Sequence, residues 1–104
     1  DPDAIGKSLG DDLAEGKTTL PLIRTMQCST PERAEMVRDA IREGGRERFV
    51  EVLDAVMSCD AIEYVRSVAR REAQAAADAI AHLPSSKAKG ILLELADFAV
   101  SRCY

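Results

Sequence analysis

Over most of this chain the apolar residues recur every three or four positions, and nowhere strictly every second one. Phe49, Val52, Leu53 and Val56 fall at i, i+3, i+4 and i+7, the spacing that lines side chains along one face of an α-helix. Ala34, Val37, Ala40 and Ile41 form a similar stripe. So do Ile62, Val65, Ala69, Ala73, Ala76 and Ile80, and then Ala88, Ile91, Leu92, Leu95, Ala99 and Val100. The pattern predicts an all-α fold, an antiparallel helical array joined by short turns. Aromatic residues make up only 4% of the 104 residues and Trp is absent. The core must therefore rest on Ala, Leu, Ile and Val, which suits close helix packing. A chain of this length buries a smaller share of its surface than a large domain does.

Start and stop signals divide residues 18–104 into five expected helices. Thr18 or Thr19 caps the first, which runs to about Cys28 with Pro21 in its first turn, where a missing N–H costs little. Thr30 as N-cap, Pro31 at the first helical position and Glu32 behind it open the second. Gly44-Gly45 stops it. The third spans roughly residues 47–57. Asp60 caps the fourth, with Glu63 three residues on as the second half of a capping box. That helix ends near Pro84, and its alanine-rich face from Ala73 to Ala81 leaves room for close approach of another helix. Ser85 or Ser86 caps the fifth. Residues 1–17, DPDAIGKSLGDDLAEGK, differ from the rest: Gly6, Gly10 and Gly16 break the segment up. They predict an ordered loop with at most a short helical turn at 11–15.

The charge balance narrows the function classes. A formal net charge of −4 argues against a nucleic-acid binder, which carries a basic patch. Charges of alternating sign read as solvated helix faces. No apolar run approaches the ~18 residues of a membrane-spanning helix. Asp1-Pro2-Asp3 does not look like a secretory leader, and the absence of an opening Met is expected of a piece of a longer chain. Cys28, Cys59 and Cys103 are odd in number and widely spaced, which suits reduced, buried thiols in a cytosolic protein better than a disulfide framework or zinc site. The single histidine, His82, is expected at a helix C-terminus. Tyr64, Phe49 and Phe98 are expected in the core or a groove, Met26, Met36 and Met57 as gap fillers, and Arg70-Arg71 on a solvated face. Arg102 and Tyr104 carry no assigned role.

Chemistry concentrates in the first segment. Lys7 and Lys17 bracket Asp11 and Asp12. A lysine ammonium is a compact cation suited to phosphate oxygens. Glycine lets backbone approach a ligand closely, and carboxylates bind hard divalent cations directly or through water. On spacing alone, a diphosphate–Mg²⁺ site and a solvated charged loop both remain open.

Gly6-Lys7-Ser8-Leu9-Gly10-Asp11-Asp12-Leu13-Ala14-Glu15-Gly16-Lys17, followed by Thr18-Thr19-Leu20-Pro21-Leu22-Ile23, resembles the block after the second aspartate-rich motif of trans-type polyprenyl diphosphate synthases. The Thr19–Ile23 ending is more like the long-chain, quinone-side-chain enzymes than farnesyl diphosphate synthases, so an octaprenyl product is the expectation. Weaker likeness continues through Thr30-Pro31-Glu32, Ala61-Ile62-Glu63-Tyr64, Leu83-Pro84 and Leu95-Ala96-Asp97-Phe98-Ala99-Val100. The resemblance implies the C-terminal part of the isoprenoid synthase fold, in a homodimeric, Mg²⁺-dependent cytosolic enzyme that condenses isopentenyl diphosphate with an allylic diphosphate. By resemblance, Lys7 and Lys17 contact the allylic diphosphate. Asp12, and less directly Asp11, stand behind them to orient a lysine or a metal-bound water.

The family's two D-D-x-x-D motifs do not occur here. No metal ligand is therefore assigned in this chain, and the 104 residues alone are expected to be inactive. Two other functions fit the helical stripes: a stand-alone interaction module that docks a partner helix, and an inactive regulatory paralogue. Helices shaped to pack against absent neighbours would leave apolar faces exposed, so self-association of the chain is expected.

Overall fold

The computed structural model describes residues 2–44 and 46–101. Six α-helices run through them: α1 (Pro2–Glu15), α2 (Leu20–Cys28), α3 (Pro31–Glu43), α4 (Phe49–Ser58), α5 (Ala61–Ile80) and α6 (Lys87–Ser101). The described residues contain no strand, so the all-α expectation holds.

The expected loop over residues 1–17 is instead a helix of 14 residues. Ile5, Leu9 and Leu13 repeat every fourth position and are buried, a stripe that the three glycines obscure in the sequence. Gly6 and Gly10 lie one turn apart beneath the ring of Phe49. A Cβ built on Gly6 would lie 3.7 Å from the ring, and one on Gly10 would lie 3.5 Å from it. Two glycines inside a helix cost about 1 kcal/mol each. Full burial of Leu9 and Leu13 returns about 2 kcal/mol apiece. Only Gly16 breaks the helix. It sits at φ +69°, its N–H donates to the Leu13 carbonyl at 3.1 Å, and the Lys17 N–H reaches back to the Asp12 carbonyl at 2.9 Å. These are the two bonds of a Schellman cap.

The signals for α2 and α3 are met locally. Pro21 falls in the first turn of α2. Among the described residues, the fully buried polar side chain of the core is Thr25, which donates its hydroxyl to the Pro21 carbonyl at 2.8 Å. Thr30 caps α3 by accepting from the Arg33 N–H at 3.3 Å, and Gly44 ends it in the left-handed region at φ +63°. Gly45 lies outside the described residues. The inner residues Leu9, Leu13, Leu22, Val37, Val52 and Val56 are fully buried in one cluster. The stripes of α3 and α4 face it as expected, with Ile41, Phe49 and Leu53 half-buried at its edge.

Asp60 departs from the expected capping box. It takes φ +52°, where an N-cap residue is extended, and its backbone carbonyl accepts from the Tyr64 N–H at 3.1 Å. The chain forms two compact units, divided after Val65 within α5. The first unit holds the buried core. In the second, Ser86 caps α6 by accepting from the Lys89 N–H at 3.1 Å, but α6 buries no described residue. Of the stripe expected to face inward, Ile91, Leu92 and Leu95 are each about half exposed or more, as is Phe98 beside it, whereas Val100 is half-buried. Leu93, Ala96 and Val100 face Ala73 and Ala77 of α5 across an open groove of about 630 Å³.

Two smaller expectations change. Cys28 is exposed and Cys59 half-buried, and Cys103 lies outside the described residues, as do Arg102 and Tyr104. Met57 is exposed, whereas Met26 and Met36 pack against the core. Tyr64 is half-buried with the Arg24 guanidinium 4.1 Å from its ring centroid.

Candidate functional site

α1 carries all four residues singled out from the sequence or its C-terminal cap, and its helical form sorts them. At 100° per residue, Lys7, Asp3 and Asp11 fall on one flank, and Asp12 is rotated about 140° from Lys7. On the first flank lies an open cleft of about 380 Å³. Its polar rim is Asp3, Lys7, Asp11 and Arg46, and its floor is Gly6, Gly10, Phe49 and Leu53. The Arg46 guanidinium donates from Nη2 to Asp11 Oδ1 at 3.1 Å. Lys7 is exposed and has no ion pair or hydrogen bond among the described residues.

Asp12 and Lys17 form a second station where α1 ends. The Thr19 hydroxyl donates to Asp12 Oδ2 at 3.2 Å, so Thr19, which precedes α2, ties its start to Asp12 and makes no side-chain cap of its own. Lys17 Nζ pairs with Glu15 Oε2 at 2.7 Å. The hydrogen bond and charge of Glu15 raise the Lys17 pKa above the ordinary lysine value, with a smaller push from Asp12. Lys17 is thus a fixed cation whose side chain is well exposed. The structure puts Lys7 and Asp11 on the lining of one cleft and Lys17 within the field of Asp12, but Lys17 does not line the Lys7 cleft.

Arg46 is the residue that the sequence did not disclose. It lies in the connection between α3 and α4, outside every periodic stripe and 35 residues from its partner Asp11. A cation just past a glycine stop is the only local signal, and such residues are common.

Among the described residues, no three His, Cys, Asp or Glu side chains come together as a metal site. The carboxylates at the Lys7 cleft are interleaved with cations instead. These residues do not fit a magnesium centre by themselves. No helix is long and apolar enough to cross a membrane among the described residues.

Residues 1–59 match the polyprenyl synthetase family, and the chain belongs to that family. It is 45% identical over 102 residues to the octaprenyl diphosphate synthase of Haemophilus influenzae, covering 97% of this chain and 31% of that protein. The octaprenyl diphosphate synthase of Escherichia coli is 44% identical over 103 residues, 98% of this chain and 32% of the relative. The all-trans-nonaprenyl-diphosphate synthase of Rhodobacter capsulatus is 37% identical, again over 98% of this chain and 31% of the relative. The chain thus spans about a third of the length of the prenyltransferases it matches.

Proposed function

We propose that this chain supplies part of a polyprenyl diphosphate synthase that condenses isopentenyl diphosphate with an allylic diphosphate, and that α1 contacts the allylic diphosphate through Lys7 and Lys17. The observation that carries the proposal is Lys7: an exposed ammonium without a partner among the described residues, on the rim of an open cleft. When the allylic C–O bond ionises, negative charge builds on the departing diphosphate. A cation already fixed at its oxygens stabilises that charge more than it stabilises the substrate. Lys17, kept protonated by Glu15, serves the same end from the C-terminal end of α1. Asp12 adds to the field at Lys17 and is itself held by Thr19. Asp11 restrains Arg46.

In this proposal the complete enzyme is a cytosolic Mg²⁺-dependent homodimer with an octaprenyl product, and its metal ligands lie outside these 104 residues. The chain alone does not turn over. A second reading, docking of a partner helix, has one observation in its favour, the exposed outer face of α6.

The test replaces the matching third of the Haemophilus influenzae enzyme with this chain and assays the hybrid with isopentenyl diphosphate, farnesyl diphosphate and Mg²⁺. Activity in the hybrid, lost in Lys7→Ala and Lys17→Ala versions that still fold, supports the proposal. A folded hybrid indifferent to both substitutions refutes the roles given to these lysines. Turnover by the 104-residue chain itself refutes its inactivity.

A further inference from the structure

We infer that Arg46 is a second cation of the Lys7 cleft and binds the same diphosphate group that Lys7 contacts. The inference rests on the diphosphate reading of α1 above. Arg46 and Lys7 share the rim of one cleft. Asp11, which holds the guanidinium at 3.1 Å, stands one helical turn after Lys7, so the ion pair keeps the guanidinium on the Lys7 flank of α1. The backbone is anchored there as well. The Arg46 carbonyl accepts the Phe49 N–H at 3.1 Å, and the Phe49 ring rests against Gly6 and Gly10.

The Arg46 and Asp11 side chains are 67% and 51% exposed. An ion pair this open to water is weak, so exchanging a carboxylate for a more highly charged diphosphate costs little. A guanidinium presents paired N–H donors that match two phosphate oxygens, where an ammonium offers a point charge. Lys7 and Arg46 thus differ in function: one supplies charge and the other supplies orientation. Asp11 parks the arginine when no anion is present.

The experiment is titration of the chain with inorganic diphosphate, without divalent cations, followed by NMR. Thermal midpoints check that each variant folds. Lys7→Ala is the reference. Arg46→Ala should weaken binding about threefold to tenfold, and Arg46→Lys should recover part of the loss. Asp11→Asn should tighten binding by releasing Arg46. That gain should shrink when Arg46→Ala is added, a coupling that a merely structural role does not produce. If Arg46→Ala fails to fold, Arg46→Gln takes its place. Arg46→Ala binding like the parent, while Lys7→Ala weakens, overturns the role of Arg46 and leaves that of Lys7 standing. Parent-like binding in both variants, or none in the parent, overturns the diphosphate reading itself and Arg46 with it.

Discussion

Gly16→Ala and Gly90→Ala are chemically the same change, and the structure gives them opposite signs. Gly16 ends α1 at φ +69°. An L-residue held in the left-handed region costs about 1–2 kcal/mol. A Cβ there would meet only the Ile41 carbonyl oxygen at 3.6 Å, an ordinary contact, so no steric penalty is added. A stiffer unfolded chain gives back about 0.4–1 kcal/mol. The net loss is about 0.5–1.5 kcal/mol. Gly90 lies within α6, has ordinary helical backbone and nothing within 4 Å of a built Cβ. Alanine there should stabilise by about 0.8–1 kcal/mol through helix propensity. The two variants should differ by about 2 kcal/mol in urea unfolding followed by circular dichroism, or by roughly 10 °C in midpoint at ~4–8 °C per kcal/mol. A Gly16→Ala protein as stable as its parent would refute the left-handed stop. It would mean that α1 continues through residue 16 and carries Lys17 elsewhere.

Three further outcomes follow from the packing and charges. Leu9→Ala empties a fully buried site between α1 and its neighbours and should cost about 2–5 kcal/mol in urea unfolding. Lys17 should titrate above 10.5 because Glu15 raises its pKa. Its stabilising contribution is complete below that pH and is lost as the pH rises through the raised value. Carbon-13 NMR of the Lys17 Cε should show Glu15→Gln bringing the titration back toward the ordinary value. Finally, a second copy of the chain should cover the outer face of α6. Sedimentation at high concentration should show association that Leu95→Glu and Phe98→Glu reduce, and a parent that sediments as a clean monomer would sink this expectation.

Signals that act within a few residues were legible in the sequence. Thr30 and Gly44 cap α3 where their types demand, because a cap depends on its own dihedral angles and the next turn. The stripes of α3 and α4 found the core because polar residues separate their faces. α6 failed the same test. Its residues Ile91, Leu92, Leu93, Leu95 and Phe98 surround much of the helix, and a period cannot choose a face when most faces are apolar. α1 was missed for a different reason. Glycine counted against helix, but the ring of Phe49, some forty residues on, occupies the space that Gly6 and Gly10 leave open. Arg46 was missed because only tertiary packing brings it to Asp11.

The helical form of α1 changes what the two adjacent aspartates can do. On a loop, Asp11 and Asp12 could converge on one cation or one ligand. On a helix they point about 100° apart. Asp11 goes to the Arg46 side, and Asp12 goes to the Thr19 side beside Lys17. The lysines separate in the same way, because Lys7 is about 12 Å along the axis from the last helical residue, Glu15. If α1 lies against a diphosphate, it therefore offers two cationic stations, each with its own carboxylate. Losses from Lys7→Ala and Lys17→Ala should then be close to additive, as for distant sites. Lys7→Ala and Arg46→Ala, acting on one station, should not be.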